Sequence, residues 1–93
     1  MDTTRLTRAV FLEAHRVGPG RWIVTGGAEP HVVTMAEGGA FACDCRDHAV
    51  HGGVVGCKHT LRVRLARADT DVLEALREVV PMPKRARRAR VAR

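Results

Sequence analysis

"CDCRDHAVHGGVVGCKH", residues 43–59, holds every cysteine of this 93-residue chain, Cys43, Cys45 and Cys57, together with three of its five histidines. Three cysteines cannot all pair, and a Cys43–Cys45 bridge would close a small, strained ring. That argues against a disulfide framework. A nucleophilic Cys57 with His59 as its base would need a third group to orient the base and an oxyanion hole, and nothing nearby clearly supplies them. A metal site uses every cysteine. Cys43 and Cys45 stand at i and i+2 at a strand end, so both side chains point to one face. After eleven intervening residues come Cys57 and His59 at a helix start, which gives C-x-C-x11-C-x-H. Three thiolates and one imidazole form a closed tetrahedral zinc set. Sulfur donors favour zinc over magnesium or calcium. A full shell leaves no place for water, so the expected cofactor is one structural Zn2+ and no catalytic residue is assigned. Gly52, Gly53 and Gly56 allow the intervening segment to fold back as a loop. His48 and His51 in that loop are read as solvent-facing, because the sulfur-rich set is already complete.

Outward from this stretch, apolar periodicity and turn residues set the elements. Leu6, Val10, Ala14 and Val17, with Phe11 beside them, predict a helix over 4–17 ended by "GPG" at 18–20. "RWIVT" (21–25), "HVVTM" (31–35) and "AFACDC" (40–45) read as three short strands joined by Gly-rich turns, a small antiparallel meander. Cys57, Leu61, Leu65 and Ala68 lie on one side of a helix running from 57 to 68. A further helix is expected at 71–80, with Asp71 and Glu74 at capping-box spacing and an apolar arc of Val72, Leu73, Leu76, Val79 and Val80. "PMP" then stops it. Trp22 is expected in the core, since large apolar residues are few.

The chain carries a formal charge of +6, but the charge is unevenly placed. Lys84, Arg85, Arg87, Arg88, Arg90 and Arg93 fall in the last ten residues, without an acid among them. Residues 1–83 then hold ten basic and ten acidic side chains, so the basicity belongs to the tail. Residues 84–93 are expected to be a disordered basic tail able to neutralise phosphates in DNA or RNA. On the 57–68 helix, Lys58 and Arg62 flank the apolar stripe on one side and Arg64 and Arg67 on the other. This suits snorkelling side chains better than a groove-reading face. No apolar run is long enough to cross a membrane, and the N-terminus lacks a secretory pattern; a cytoplasmic, reducing location is expected. A domain this short nets about 3–5 kcal/mol from its core, against roughly 10–16 kcal/mol for structural zinc in small peptides. The ion is therefore expected to hold the fold together, and Cys45→Ser or His59→Ala to unfold most of residues 21–68.

Strands, a cysteine pair, a Gly-containing loop, "CKH" and the apolar-striped "CKHTLRVRLA" together resemble a SWIM zinc finger, from about Arg21 to Ala68. Where that family often has a Pro and an aromatic after the second cysteine, this chain has "RDH", and His31 and Val32 stand where a strand aromatic is common. The elements read above, with the ββα unit that the resemblance implies, give an expected α+β fold: an N-terminal helix, a short antiparallel β-meander, a zinc-stapled helix in a SWIM-like unit, and one further C-terminal helix. Residues 1–83 would form a single domain with its zinc-finger core at 21–68. The resemblance further implies a non-enzymatic binding module that docks a protein or nucleic-acid partner, with neither a membrane nor a small-molecule substrate. The alternatives are a DNA-binding protein that uses the zinc-finger helix directly and, behind it, a small cysteine-dependent enzyme.

Overall fold

The computed structural model describes residues 2–79, those at 52–55 by backbone only. The elements run α1 (Thr3–Ala9), β1 (Glu13–Gly18), β2 (Arg21–Thr25), β3 (His31–Met35), β4 (Phe41–Cys43), α2 (Arg46–Val55), α3 (Lys58–Ala66) and α4 (Thr70–Val79). The four strands pair in sequence order as an antiparallel sheet, and the fold is α+β. Among the described residues, no helix is long and apolar enough to cross a membrane.

The N-terminal segment departs from its helical periodicity. The helix over 4–17 is cut to Thr3–Ala9, capped by Asp2, whose carboxylate accepts the Arg5 N–H at 3.0 Å. The chain then extends into β1 and pairs with β2, Ala14 opposite Val24 and Arg16 opposite Trp22. Leu12 is buried with Trp22, Val24, Val33 and Val63, while Phe11 and Val17 are left 77% and 52% exposed. Pairing gives β2 a second set of backbone hydrogen bonds and covers the Trp22 side of the core, which outweighs a helical stripe of modest residues. The Gly18–Gly20 turn, expected to end a helix, joins two strands instead. Gly20 has φ +63° and its carbonyl accepts the Met35 N–H at 2.8 Å, and a Cβ there would stand 3.0 Å from the Met35 carbonyl oxygen. The positive φ and the close approach both call for glycine.

Two further differences lie around the cysteines. The expected strand over 40–45 is confined to Phe41–Cys43, so Cys45 stands beyond the sheet. The expected loop between Cys45 and Cys57 contains a ten-residue helix, α2, tied to α1 by Arg5, whose Nε and Nη2 each donate to the Asp47 carboxylate at 2.7 Å.

Helix α3 is the central element. Val63 points into the sheet cluster with Leu12, Trp22, Val24 and Val33. Leu61 points into a second cluster with Leu6, Ala9 and Val72, flanked by Leu65, Ala75, Leu76 and Val79. The helix is thus buried on two sides, more than the Cys57–Leu61–Leu65 stripe suggests; Ala68 lies past its end with φ +61°. Helix α4 starts within a residue of its expected start and runs through Val79, the last described residue. Its first turn is arranged differently, however: the Asp69 carbonyl accepts the Leu73 N–H at 3.0 Å, and Asp71 lies inside the helix. Arg64 holds both carboxylates, Asp69 through Nε at 3.0 Å and Asp71 through Nη2. Val80, the "PMP" stop and the basic tail lie outside the described residues.

Candidate metal centre

Cys43, Cys45, Cys57 and His59 meet where the end of β4 faces the N-termini of two helices. Cys43 closes β4, opposite Val33 in β3. Cys45 immediately precedes α2; its sulfur accepts the His48 N–H at 3.3 Å, and its carbonyl accepts the Ala49 N–H at 3.2 Å. Cys57 is the N-cap of α3 and takes part in a reciprocal cap. Its sulfur accepts the Thr60 N–H at 3.4 Å, and the Thr60 hydroxyl oxygen accepts the Cys57 N–H at 3.0 Å. Gly56, with φ +72°, turns the chain into this cap, and a Cβ there would lie 3.1 Å from Thr60 Oγ1. Two cysteines thus each cap a helix, and the positive ends of α2 and α3 converge on sulfur.

His59 stands in the first turn of α3, and its Nδ1 lies 3.7 Å from Cys57 Sγ. The four donor atoms all lie within 4.8 Å of one another, with Cys45, Cys57 and His59 buried and Cys43 half-buried. A tetrahedral ion with Zn–S of ~2.3 Å and Zn–N of ~2.0 Å separates its donors by about 3.5–3.8 Å. The observed spacing and the soft donor set of three sulfurs and one nitrogen fit one such ion.

The electrostatics of the cluster suit a set of metal ligands. Hydrogen bonding from Cys43 holds the Cys57 thiol well below the ordinary thiol range, aided by His59 and the Thr60 N–H against the opposing effect of burial. The reciprocal effect, hydrogen bonding to Cys57 followed by burial, pushes Cys43 far up. Cys45 is raised chiefly by burial. Without an ion the three sulfurs cannot all be anionic at close quarters; a dication is what permits three thiolates together.

The other candidate residues are placed elsewhere. His51 is half-exposed, with Nδ1 3.1 Å from Asp47 Oδ1, and takes no part in the cluster. His48 is half-buried rather than fully solvent-facing, and it too lies outside the cluster. Arg64 is held by Asp69 and Asp71, and Arg67 lies over the Phe41 ring at 5.2 Å and contacts Met35 Sδ at 3.3 Å. Trp22 is buried in the sheet core. Lys84, Arg85, Arg87, Arg88, Arg90 and Arg93 lie outside the described residues.

Sequence reasoning missed Thr60, although its spacing from Cys57 is that of a capping box, with cysteine in the serine position. It also missed the pair His31 and Asp44. Asp44 sits between two of the candidate ligands, and its Oδ1 accepts the Val32 N–H at 3.2 Å and lies 2.9 Å from His31 Nδ1. The His31 ring in turn lies 4.4 Å from that of His59. Only the pairing of β3 with β4 brings His31 to the site. No protein-family model, curated protein or solved structure matches the chain.

Proposed function

We propose that this chain is a non-enzymatic binding module of the SWIM zinc-finger kind, built around one structural zinc ion. The observation that carries the reading is the closed Cys43–Cys45–Cys57–His59 set, three of its members buried, at the junction of β4, α2 and α3. An ion there ties the sheet to both helices, and four protein donors leave no coordination place for a substrate. The zinc thereby builds a surface for a protein partner, and the basic residues at 84–93 add salt-sensitive, sequence-independent contact with DNA or RNA.

The alternative, in which α3 itself reads a DNA groove, is disfavoured by the state of Arg64 within the helix and of Arg67 at its C-cap. Arg64 is committed to two aspartates and Arg67 to Phe41, so neither is presented as a free base-reading group. The test is electrophoretic mobility of a nucleic-acid duplex against salt, with the full chain and with a chain ending at Pro83. Loss of the shift on truncation, together with a steep salt dependence for the full chain, supports the proposal. A truncated chain that still binds with little loss would favour the α3 reading. Affinity capture from the native cell, with and without nuclease, tests the protein partner: specific capture that survives nuclease supports docking, and capture that vanishes opposes it.

A further inference from the structure

We infer that His31, Asp44 and Cys43 form a second metal position, which shares the Cys43 sulfur with the zinc set and is open to solvent on its outer side. The inference rests on the reading that Cys43, Cys45, Cys57 and His59 hold zinc. Four observations support it.

The donors converge. His31 Nδ1 and Asp44 Oδ1 are 2.9 Å apart, Cys43 Sγ and Asp44 Oδ1 4.0 Å, and all three donor atoms lie within 4.8 Å of one another. These values bracket the edges of about 3.3–3.6 Å that a tetrahedral ion with one oxygen, one nitrogen and one sulfur donor requires. The Cys43 sulfur belongs to both groups of donor atoms, and Cys43 is the least buried of the three cysteines. A thiolate has lone pairs enough to bridge.

The imidazole is arranged as ligating imidazoles are. Nδ1 lies 2.9 Å from Asp44 Oδ1, and the opposite nitrogen, Nε2, has the Glu29 carboxylate 3.9 Å away. That is beyond hydrogen-bond reach, but it places a negative charge on the side of the non-ligating nitrogen, where metal-bound imidazoles commonly have a carboxylate. Asp44 is itself anchored by the Val32 N–H.

Charge is the third argument. One zinc with three thiolates leaves a net negative charge on a largely buried centre, which is costly. A second dication with the Asp44 carboxylate brings the pair of sites to neutrality. The fourth argument is the donor mixture. One sulfur, one nitrogen and one carboxylate suit a borderline divalent transition ion such as zinc or cobalt rather than magnesium or calcium. Three protein donors leave a fourth place for water or for a donor atom from a bound ligand.

The test is metal content of the full chain after loading with zinc and desalting into metal-free buffer, paralleled by optical titration with cobalt. The wild type is expected to retain about two ions, and His31→Phe and Asp44→Asn about one each. In both variants the cobalt spectrum of the three-sulfur, one-nitrogen set should persist. His31→Phe keeps a ring against His59, and Asp44→Asn keeps an acceptor for the Val32 N–H, so both spare the fold. A wild type retaining one ion overturns the second position while leaving the zinc set standing. A wild type retaining none overturns the zinc set as well. Two ions that survive in both variants would also overturn the assignment.

Discussion

Cys57 is at once a candidate metal donor, the N-cap of α3 and a fully buried side chain. The sequence makes the first role legible through its spacing from His59, but not the second, because a thiol becomes a strong acceptor only as its proton is lost. Thr60 and Gly56 serve that cap. Replacing Thr60 by Val keeps the volume but leaves the Cys57 N–H without its acceptor. The expected loss is about 1–2 kcal/mol in the metal-loaded protein, read from the denaturant midpoint. Gly56→Ala places a Cβ at positive φ beside Thr60 Oγ1. It should cost roughly 1–2 kcal/mol and weaken metal binding in a competition assay, since the distorted residue immediately precedes a ligand. Wild-type stability in either variant would show the cap to be incidental.

Among the elements, α4, β2 and β3 follow their apolar periodicities, because each buries the face its own spacing defines, while α3 keeps its helical span near the expected one but buries a second side as well. The segment from Leu12 to Val17 does not. Its residues satisfy a helical stripe and a strand equally poorly, and the partner that decides, Arg21–Thr25, acts through pairing rather than local preference. Leu61 joins α3 to α1 and α4, and Leu61→Ala should cost about 2–5 kcal/mol in thermal or denaturant unfolding. The α1–α2 tie depends on pH. Hydrogen bonding from Arg5 holds the Asp47 carboxyl at about 2, below its ordinary 3.8. A lowered folded-state value means that the tie contributes in full above about 3.8 and is lost as pH falls through about 2. Because protons also displace the ion across that acid window, the tie is read at pH 7, where both the ion and the Asp47 carboxylate are in place. Amide protection in α2 should be lower in Asp47→Asn than in the wild type there, and a variant with wild-type protection would dismiss the tie.

For the molecule as a whole, the candidate centre joins a small sheet to two helix N-termini, and the two apolar clusters on either side of α3 are modest in size. Chelation of the metal-loaded protein is expected to abolish its dispersed amide spectrum, and so is Cys45→Ser. A chelated protein that keeps its dispersion would show that the core suffices alone. Affinity for the ion should rise with pH through the neutral range, because protons compete for Cys43 and Cys45, both held above the ordinary thiol range. A pH-independent affinity would contradict that competition.

The C-x-C-x11-C-x-H spacing was enough to pick out the four residues whose donor atoms the structure brings within 4.8 Å of one another, because ligand chemistry depends on residue type and reach, both written along the chain. The apolar periodicity of α3 and α4 and the strands at 21–25 and 31–35 were likewise set locally. Tertiary structure alone decided that Glu13–Gly18 joins the sheet, that a helix fills the loop between the cysteines, and that His31 reaches the centre. Each of these depends on contacts between segments distant in sequence. Their free energy exists only once the sheet has paired and α3 has packed against it, so no local pattern could record it.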